Sequence, residues 1–255
     1  MQTRFQKRPA LWYFGLTMVF SLLLLVPHLL LGAILTPSLA LNQFGPAVGL
    51  FAFSLFPGSP VSIRDVLTRF HRKGLFFWGV TAVLSMALLV FACSRLLFFW
   101  GLPFSRWKGN AGFYCAEILA MFFGCVGEEL GWRGFLLPEL CKKYPLLPSA
   151  CLTGLFWGVW HLNFSGGGIG FLLFTVSMMM NSIFLAWLFQ KSGENLYVAV
   201  LAHLSFNLSS HLLLWNRLGF QAYILEIALF GILDLVLLNF DRNLFFKRPQ
   251  KPDPV

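Results

Sequence analysis

AGFYCAEILAMFFGCVGEELGWRGFLLPELCKKYP, residues 111–145, begins as an apolar run of membrane-spanning length and then carries Glu128-Glu129-Leu130-Gly131-Trp132-Arg133 without losing its helical pattern. Ionisable groups at membrane depth cost several kcal/mol unless they face a cavity or one another, which makes them a functional-site hypothesis by default. The helical pattern continues through Leu140 to Cys141-Lys142-Lys143-Tyr144-Pro145, where the chain turns and re-enters the apolar phase at Leu146. Read alone, the cluster also fits a helix end at the membrane interface with solvated charges, since Lys142 and Lys143 lie close by.

The rest of the 255 residues fits a membrane setting: 58% are hydrophobic, 11% are charged and the mean hydropathy is +0.73, more apolar matter than a soluble domain can bury. Apolar stretches fall at 11–32, 39–56, 75–100, 111–127, 146–164, 169–189, 196–215 and 223–240. The expected fold is therefore all-α, a polytopic membrane helical bundle of about eight transmembrane helices, with residues 1–255 forming a single integral membrane domain. Asn42, Gln43 and Pro46 interrupt the second stretch, so a re-entrant segment is an alternative there.

Charge alternation favours the crossing. With both termini cytoplasmic, fifteen of the nineteen basic residues fall on one side, including Arg4, Lys7, Arg8, Arg64 to Lys73, Lys142, Lys143, Lys191 and the short basic tail of 241–255. Only Arg95, Arg106, Lys108 and Arg217 fall on the other. The net charge of +9 is thus a topology signal, and no soluble domain exists to present it to nucleic acid. The first run is longer than the core of a signal peptide, so Ser38-Leu39-Ala40 is not taken as a cleavage site. Cys93, Cys115, Cys125, Cys141 and Cys151 have neither metal-ligand nor disulfide spacing and read as small packing residues.

Two further polar pairs lie in later spans, Trp157-x-x-x-His161 and His203-x-x-x-Asn207. If 111–145 and the next segment form an antiparallel hairpin, Glu128 and His161 each lie roughly 22–24 Å along their helices from the turn, and are level. His203 lies roughly 18 Å along its helix from the same side. Glu129 and Arg133, at i,i+4, can pair on one face, while Glu128 points about 100° away. A carboxylate beside apolar surface can serve as a general base. His203 and Asn207 share a face from which an imidazole N–H and an amide can both point at one oxygen, as an oxyanion hole requires. Each pair also has a plainer reading, a packed core histidine for His161 and interhelical hydrogen bonding for His203 and Asn207.

Glu-Glu-x-x-x-Arg, aromatic-x-x-x-His and His-x-x-x-Asn in this order, over roughly 111–215, resemble the CAAX-protease and bacteriocin-processing (type II CAAX prenyl endopeptidase-like) intramembrane protease family. The resemblance implies that Glu128 activates the attacking water, that His161 helps to position it, and that His203 and Asn207 stabilise the oxyanion. It also implies that Glu129 and Arg133 hold their helix in place. The aromatic position usually holds Phe in that family and here holds Trp157, read as packing the site. The substrate implied is a membrane-associated protein or peptide, the setting a prokaryotic cytoplasmic membrane, and water is expected to enter from the cytoplasmic side.

No cofactor is expected. A glutamate and two histidines can also ligate zinc, but His-Glu-x-x-His is absent and Asn207 is a poor zinc ligand, so a metal-free mechanism is favoured over zinc. A non-catalytic immunity or scaffold protein of the same family is the alternative function; a secondary transporter fits less well, because no inverted repeat is visible. Glu117 is expected to line the far end of the cavity or pair with Arg95, and Asp234 with His28. Ser177 and Asn181 are expected to bond between helices, and Gly166–Gly168 to form a turn on the outer side.

Overall fold

A computed structural model describes residues 7–31, 40–102, 110–164, 166–214 and 219–247, and these are helical throughout apart from short connections. In chain order they form α1 (Pro9–Leu31), a 3-10 turn (Leu41–Phe44), α2 (Gly45–Ser54), α3 (Ile63–Thr68), α4 (Leu75–Phe99) and α5 (Ala111–Gly131). A π turn (Trp132–Leu136) joins α5 to α6 (Leu137–Cys141), and α7 (Leu146–Trp160), α8 (Gly167–Lys191), α9 (Leu196–Leu214), α10 (Phe220–Phe240) and α11 (Arg242–Phe246) follow.

Among the described residues, six segments are long and apolar enough to cross a membrane: Pro9–Pro27, Leu75–Phe99, Ala111–Cys141, Gly167–Lys191, Leu196–Leu214 and Phe220–Phe240. The other two expected spans are shorter. α7 has 15 residues, and the interrupted second stretch yields only the 3-10 turn and a ten-residue helix. At 1.5 Å per residue, α2 covers about 15 Å, half of a hydrocarbon core. The cause is the Asn42, Gln43 and Pro46 punctuation, with Pro46 near the helix start, where its missing N–H costs nothing. α2 lies antiparallel to α1, with Gly45 against Ser21 and Gly49 against Thr17.

The bundle is apolar outside and polar within. Phe76, Phe99 and Phe240 are among the most exposed side chains, at 87%, 78% and 85%, whereas Glu117, Glu129, Arg133 and Asn181 have no exposure. That inversion suits lipid as the surrounding solvent.

One end of the bundle collects the basic turns. Lys143 Nζ donates to Lys7 O at 3.3 Å, the Leu196 N–H to Arg69 O at 2.9 Å, and Asn195 Nδ2 to His71 O at 2.8 Å. Arg69 pairs with Glu194, and Lys191 Nζ lies 3.1 Å from Asp241 Oδ1. Trp187 Nε1–H and then Lys191 hold the Asp241 carboxyl below its usual range. The starts of α1, α4, α7 and α9 and the end of α10 therefore share this end. Residues 1–6 and 248–255, including the rest of the basic tail, lie outside the described residues, as do Arg106, Lys108, Arg217 and the side chain of His28.

Two local features set the inner helices. The N–H of Leu137 reaches Trp132 O, five residues back, and Pro138 follows, so the widened turn sits where proline would break the regular ladder. α7 meets α8 through Gly154 and Gly158, a small-x-x-x-small pair that lets backbones touch. A Cβ on Gly154 would lie 2.6 Å from Met179 Cα and 2.9 Å from Met178 O, atoms that cannot rotate away. Gly154→Val is expected to cost about 1–3 kcal/mol by forcing the helices apart. Denaturant unfolding in detergent would show it, and a loss of a few tenths would mean that the contact does not hold α7 in place.

Candidate active site

Glu128 and Glu129 are neighbours on α5, so their side chains leave the axis about 100° apart and serve different surroundings. Glu128 Oε2 accepts a hydrogen bond from Trp157 Nε1–H of α7 at 2.8 Å. Glu129 turns to α9: its Oε1 lies 2.9 Å from both Arg133 Nη1 and His203 Nδ1. Both acids are buried, at 3% and no exposure. The expected i,i+4 pair between Glu129 and Arg133 is present, and it reaches further than the helix it was expected to brace, because the same oxygen anchors the imidazole of His203.

Trp157 ties the cluster together. Its N–H meets Glu128, its ring carries the Arg133 guanidinium at 4.6 Å, and its edge meets the His203 ring at 5.0 Å and 75°. Packing was the sequence expectation for this position; hydrogen bonding to Glu128 is an addition that phenylalanine, lacking an N–H, would not make. His161 ends α7 one turn on, with its ring set edge-to-face against Trp160 at 4.8 Å and Phe174 at 5.2 Å. Asn207 lies one turn beyond His203, and its Nδ2 has Cys125 Sγ at 3.6 Å. Cys125 also hydrogen-bonds the His203 ring, so this thiol sits where the two donors converge. Thiol sulfur is a weak acceptor, and at that distance the amide is held only loosely.

Glu128, Trp157, His161, His203 and Asn207 all line one cavity of about 330 Å³. Glu129 and Arg133 lie behind it. The four candidate reacting residues thus come together from α5, the end of α7 and α9, with Gln43 from the interrupted second stretch as a further wall. Gln43 packs against Gly124, and Phe44 against Gly127, so that the small faces of α5 admit this segment beside Glu128.

The cavity lies away from the basic turns. Its other lining residues, Ser210 and His211 late in α9, Tyr223 and Glu226 early in α10, Asn163 after α7 and Phe174 early in α8, occupy the half of the bundle away from Lys143 and Lys191. The described lining thus lies in the half opposite the basic turns, the end from which the sequence led water to be expected.

Residues 110–209, from the start of α5 to late α9, match the family model described as Type II CAAX prenyl endopeptidase Rce1-like. The chain is also similar to CAAX prenyl protease 2 of Methanococcus maripaludis, 23% identical over 207 residues covering 72% of this chain and 74% of that protein. Over these helices it is similar to the Rce1-like type II CAAX prenyl endopeptidase family. That family is one of endopeptidases, and the candidate spans make this chain a multi-pass membrane protein. The match ends within α9, so it contains Glu128, Glu129, Arg133, Trp157, His161, His203 and Asn207 but none of α10.

Other polar positions fare differently. Glu117 is fully buried within electrostatic reach of His211, while the Arg95 guanidinium lies over the Phe98 ring. Ser177 donates to Phe174 O within its own helix and also meets the Glu226 carboxyl of α10, an interhelical contact as expected, whereas Asn181 finds no hydrogen-bond partner among the described residues. Cys115 is exposed and is not a packing residue. Gly166 and Gly167 lead into α8, Gly167 with φ +65°, as the expected turn. Among the described residues, no three His, Cys, Asp or Glu side chains are grouped to hold a metal ion.

Proposed function

We propose that this protein is an intramembrane endopeptidase in which Glu128 is the general base. The observation that carries the reading is that Glu128, His161, His203 and Asn207, from separate turns of three helical segments, line one cavity. Water held between Glu128 and His161 gives its proton to the carboxylate as its oxygen attacks the peptide carbonyl carbon. The carbonyl oxygen becomes the oxyanion, and Asn207 Nδ2 and His203 Nε2 stabilise it. Glu128 then returns the proton to the departing amine as the C–N bond breaks.

His203 fits this role in one protonation state. Its Nδ1 proton is committed to Glu129, so Nε2 donates only when the ring is an imidazolium. Two carboxylates, one guanidinium and one imidazolium sum to zero, which suits a buried cluster. Glu129 and Arg133 are positioning residues for His203. A substrate carbonyl would displace Cys125, a poor acceptor, from the Asn207 amide at small cost.

Positive charge gathered at one end of the bundle supports placing that end, with the start of α1 and Lys247, on the cytoplasmic side, and the similarity to a Methanococcus maripaludis protein supports a prokaryotic membrane. On that topology the partly helical stretch before α3 returns the chain to the cytoplasmic side, as an eighth pass would, and the cavity occupies the outer half.

The test is cleavage by purified protein of a membrane-embedded peptide mixture, read by mass spectrometry. Asn207→Ala is expected to lower kcat about 10²–10³-fold with little change in KM, the pattern of a group used in the transition state. Unchanged kcat would remove Asn207 from the oxyanion site.

A further inference from the structure

The geometry points to a second element of substrate recognition in the same cavity, a subsite for a cationic group centred on Glu226. This proposal rests on the peptidase reading only for the identity of the ligand as a peptide. Glu226 lies on α10, outside the family match, and no step of the mechanism uses it.

Two observations carry it. First, Glu226 is 4% exposed, lines the cavity, and its Oε1 has no hydrogen-bond partner among the described residues. The Ser177 hydroxyl, which also donates to Phe174 O, meets the carboxyl from α8. On its other side lie Cys93, Phe206, Leu229 and Phe230, an apolar wall that solvates charge poorly. A carboxylate in that position is costly until a cation arrives. Second, the described lining of the cavity contains no Lys or Arg, and the His203 imidazolium is balanced within the Glu128, Glu129 and Arg133 cluster, which leaves Glu226 as a lining carboxyl with no cation assigned to it. Low-dielectric walls focus such a field and draw positive groups inward.

Tyr223, one turn before Glu226, receives Asn163 Nδ2 at 2.9 Å and packs on Phe174, which in turn packs on His161. The subsite and the reacting groups therefore share one continuous wall. The ligand chemistry is an alkylammonium or guanidinium, supplied by a Lys or Arg side chain of the peptide or by its free N-terminus, next to apolar residues that fill the rest of the space.

The experiment uses full-length protein in detergent carrying Glu128→Gln, so that peptides bind without being cut. The probes are fluorescent apolar decapeptides, N-acetylated, with Lys scanned through each position, the matching norleucine peptides, and one unacetylated norleucine peptide. At one position Lys is expected to bind at least tenfold more tightly than norleucine, or the unacetylated peptide tenfold more tightly than its acetylated form, which identifies the N-terminus as the source. In Glu128→Gln/Glu226→Gln that ratio is expected to fall to within twofold. Equal affinities with Glu226 intact, or a cation preference that survives Glu226→Gln, would overturn the subsite. Because the ratio is taken within each protein, a general loss of affinity does not mimic the result. Turnover of the same peptides by unmodified protein separates the two readings: a Glu226-dependent preference without cleavage removes the peptidase and keeps the subsite, and cleavage without the preference does the reverse.

Discussion

Glu128→Gln lowers turnover of every cleaved peptide by about 10²–10⁴-fold, the range a positioned general base supplies, while leaving the fold intact. The substitution is nearly isosteric, and the amide oxygen of glutamine can still accept the Trp157 Nε1–H that now meets Glu128 Oε2 at 2.8 Å. What is lost is the basic oxygen facing the cavity. Rate measurements on purified variants, with the melting temperature as the control for folding, check both halves. Activity should also persist under a strong chelator, because Glu128 acts on water without an intervening ion in this reading. Loss of turnover on chelation, restored by zinc and not by magnesium, would recast Glu128 as a ligand and sink the general-base assignment.

Run lengths in the sequence were enough for α1, α4, α8, α9 and α10, because a helix that must bury its backbone in lipid has to be about 20 apolar residues long. The same rule left the second stretch open. Its apolar content was sufficient, and only Asn42, Gln43 and Pro46 hinted that it would form a 3-10 turn and a half-length helix. The level placement of Glu128 and His161 followed from a rigid rise per residue, and both line one cavity.

Side-chain direction was the harder part. Nothing in residue order says that Trp157 turns its N–H toward Glu128 or that Cys125 lies under Asn207, since both depend on how α5, α7 and α9 are rotated against one another. A signal for Trp157 did exist in its departure from phenylalanine, because an indole carries a donor that a phenyl ring lacks. Glu226 offered no comparable signal, as a lone acid in an apolar run gives no register. The direction of the cavity was equally hidden: charge counts identify the ends of a bundle, whereas packing decides which half stays hollow.

Arg133→Met has the largest expected effect on stability. It leaves Glu129 buried with no exposure and with His203 alone against its charge, and it removes the cation from the Trp157 face. Breaking one half of a buried pair typically costs about 3–5 kcal/mol, because the remaining charge keeps its desolvation penalty without the attraction that offset it. Denaturant unfolding of the detergent-solubilised protein should register a loss of that size. Glu129→Leu/Arg133→Met removes both charges and replaces them with side chains that suit the interior, so it should recover stability relative to the sum of the single losses, with a coupling of about 1–3 kcal/mol. Turnover should not recover with it. His203 Nδ1 loses its acceptor in the double variant, and the ring is then free to reorient away from the oxyanion position. A double variant that is stable yet slow would separate the two duties of the pair; strictly additive stability losses would mean that Glu129 and Arg133 do not act on the fold as a unit.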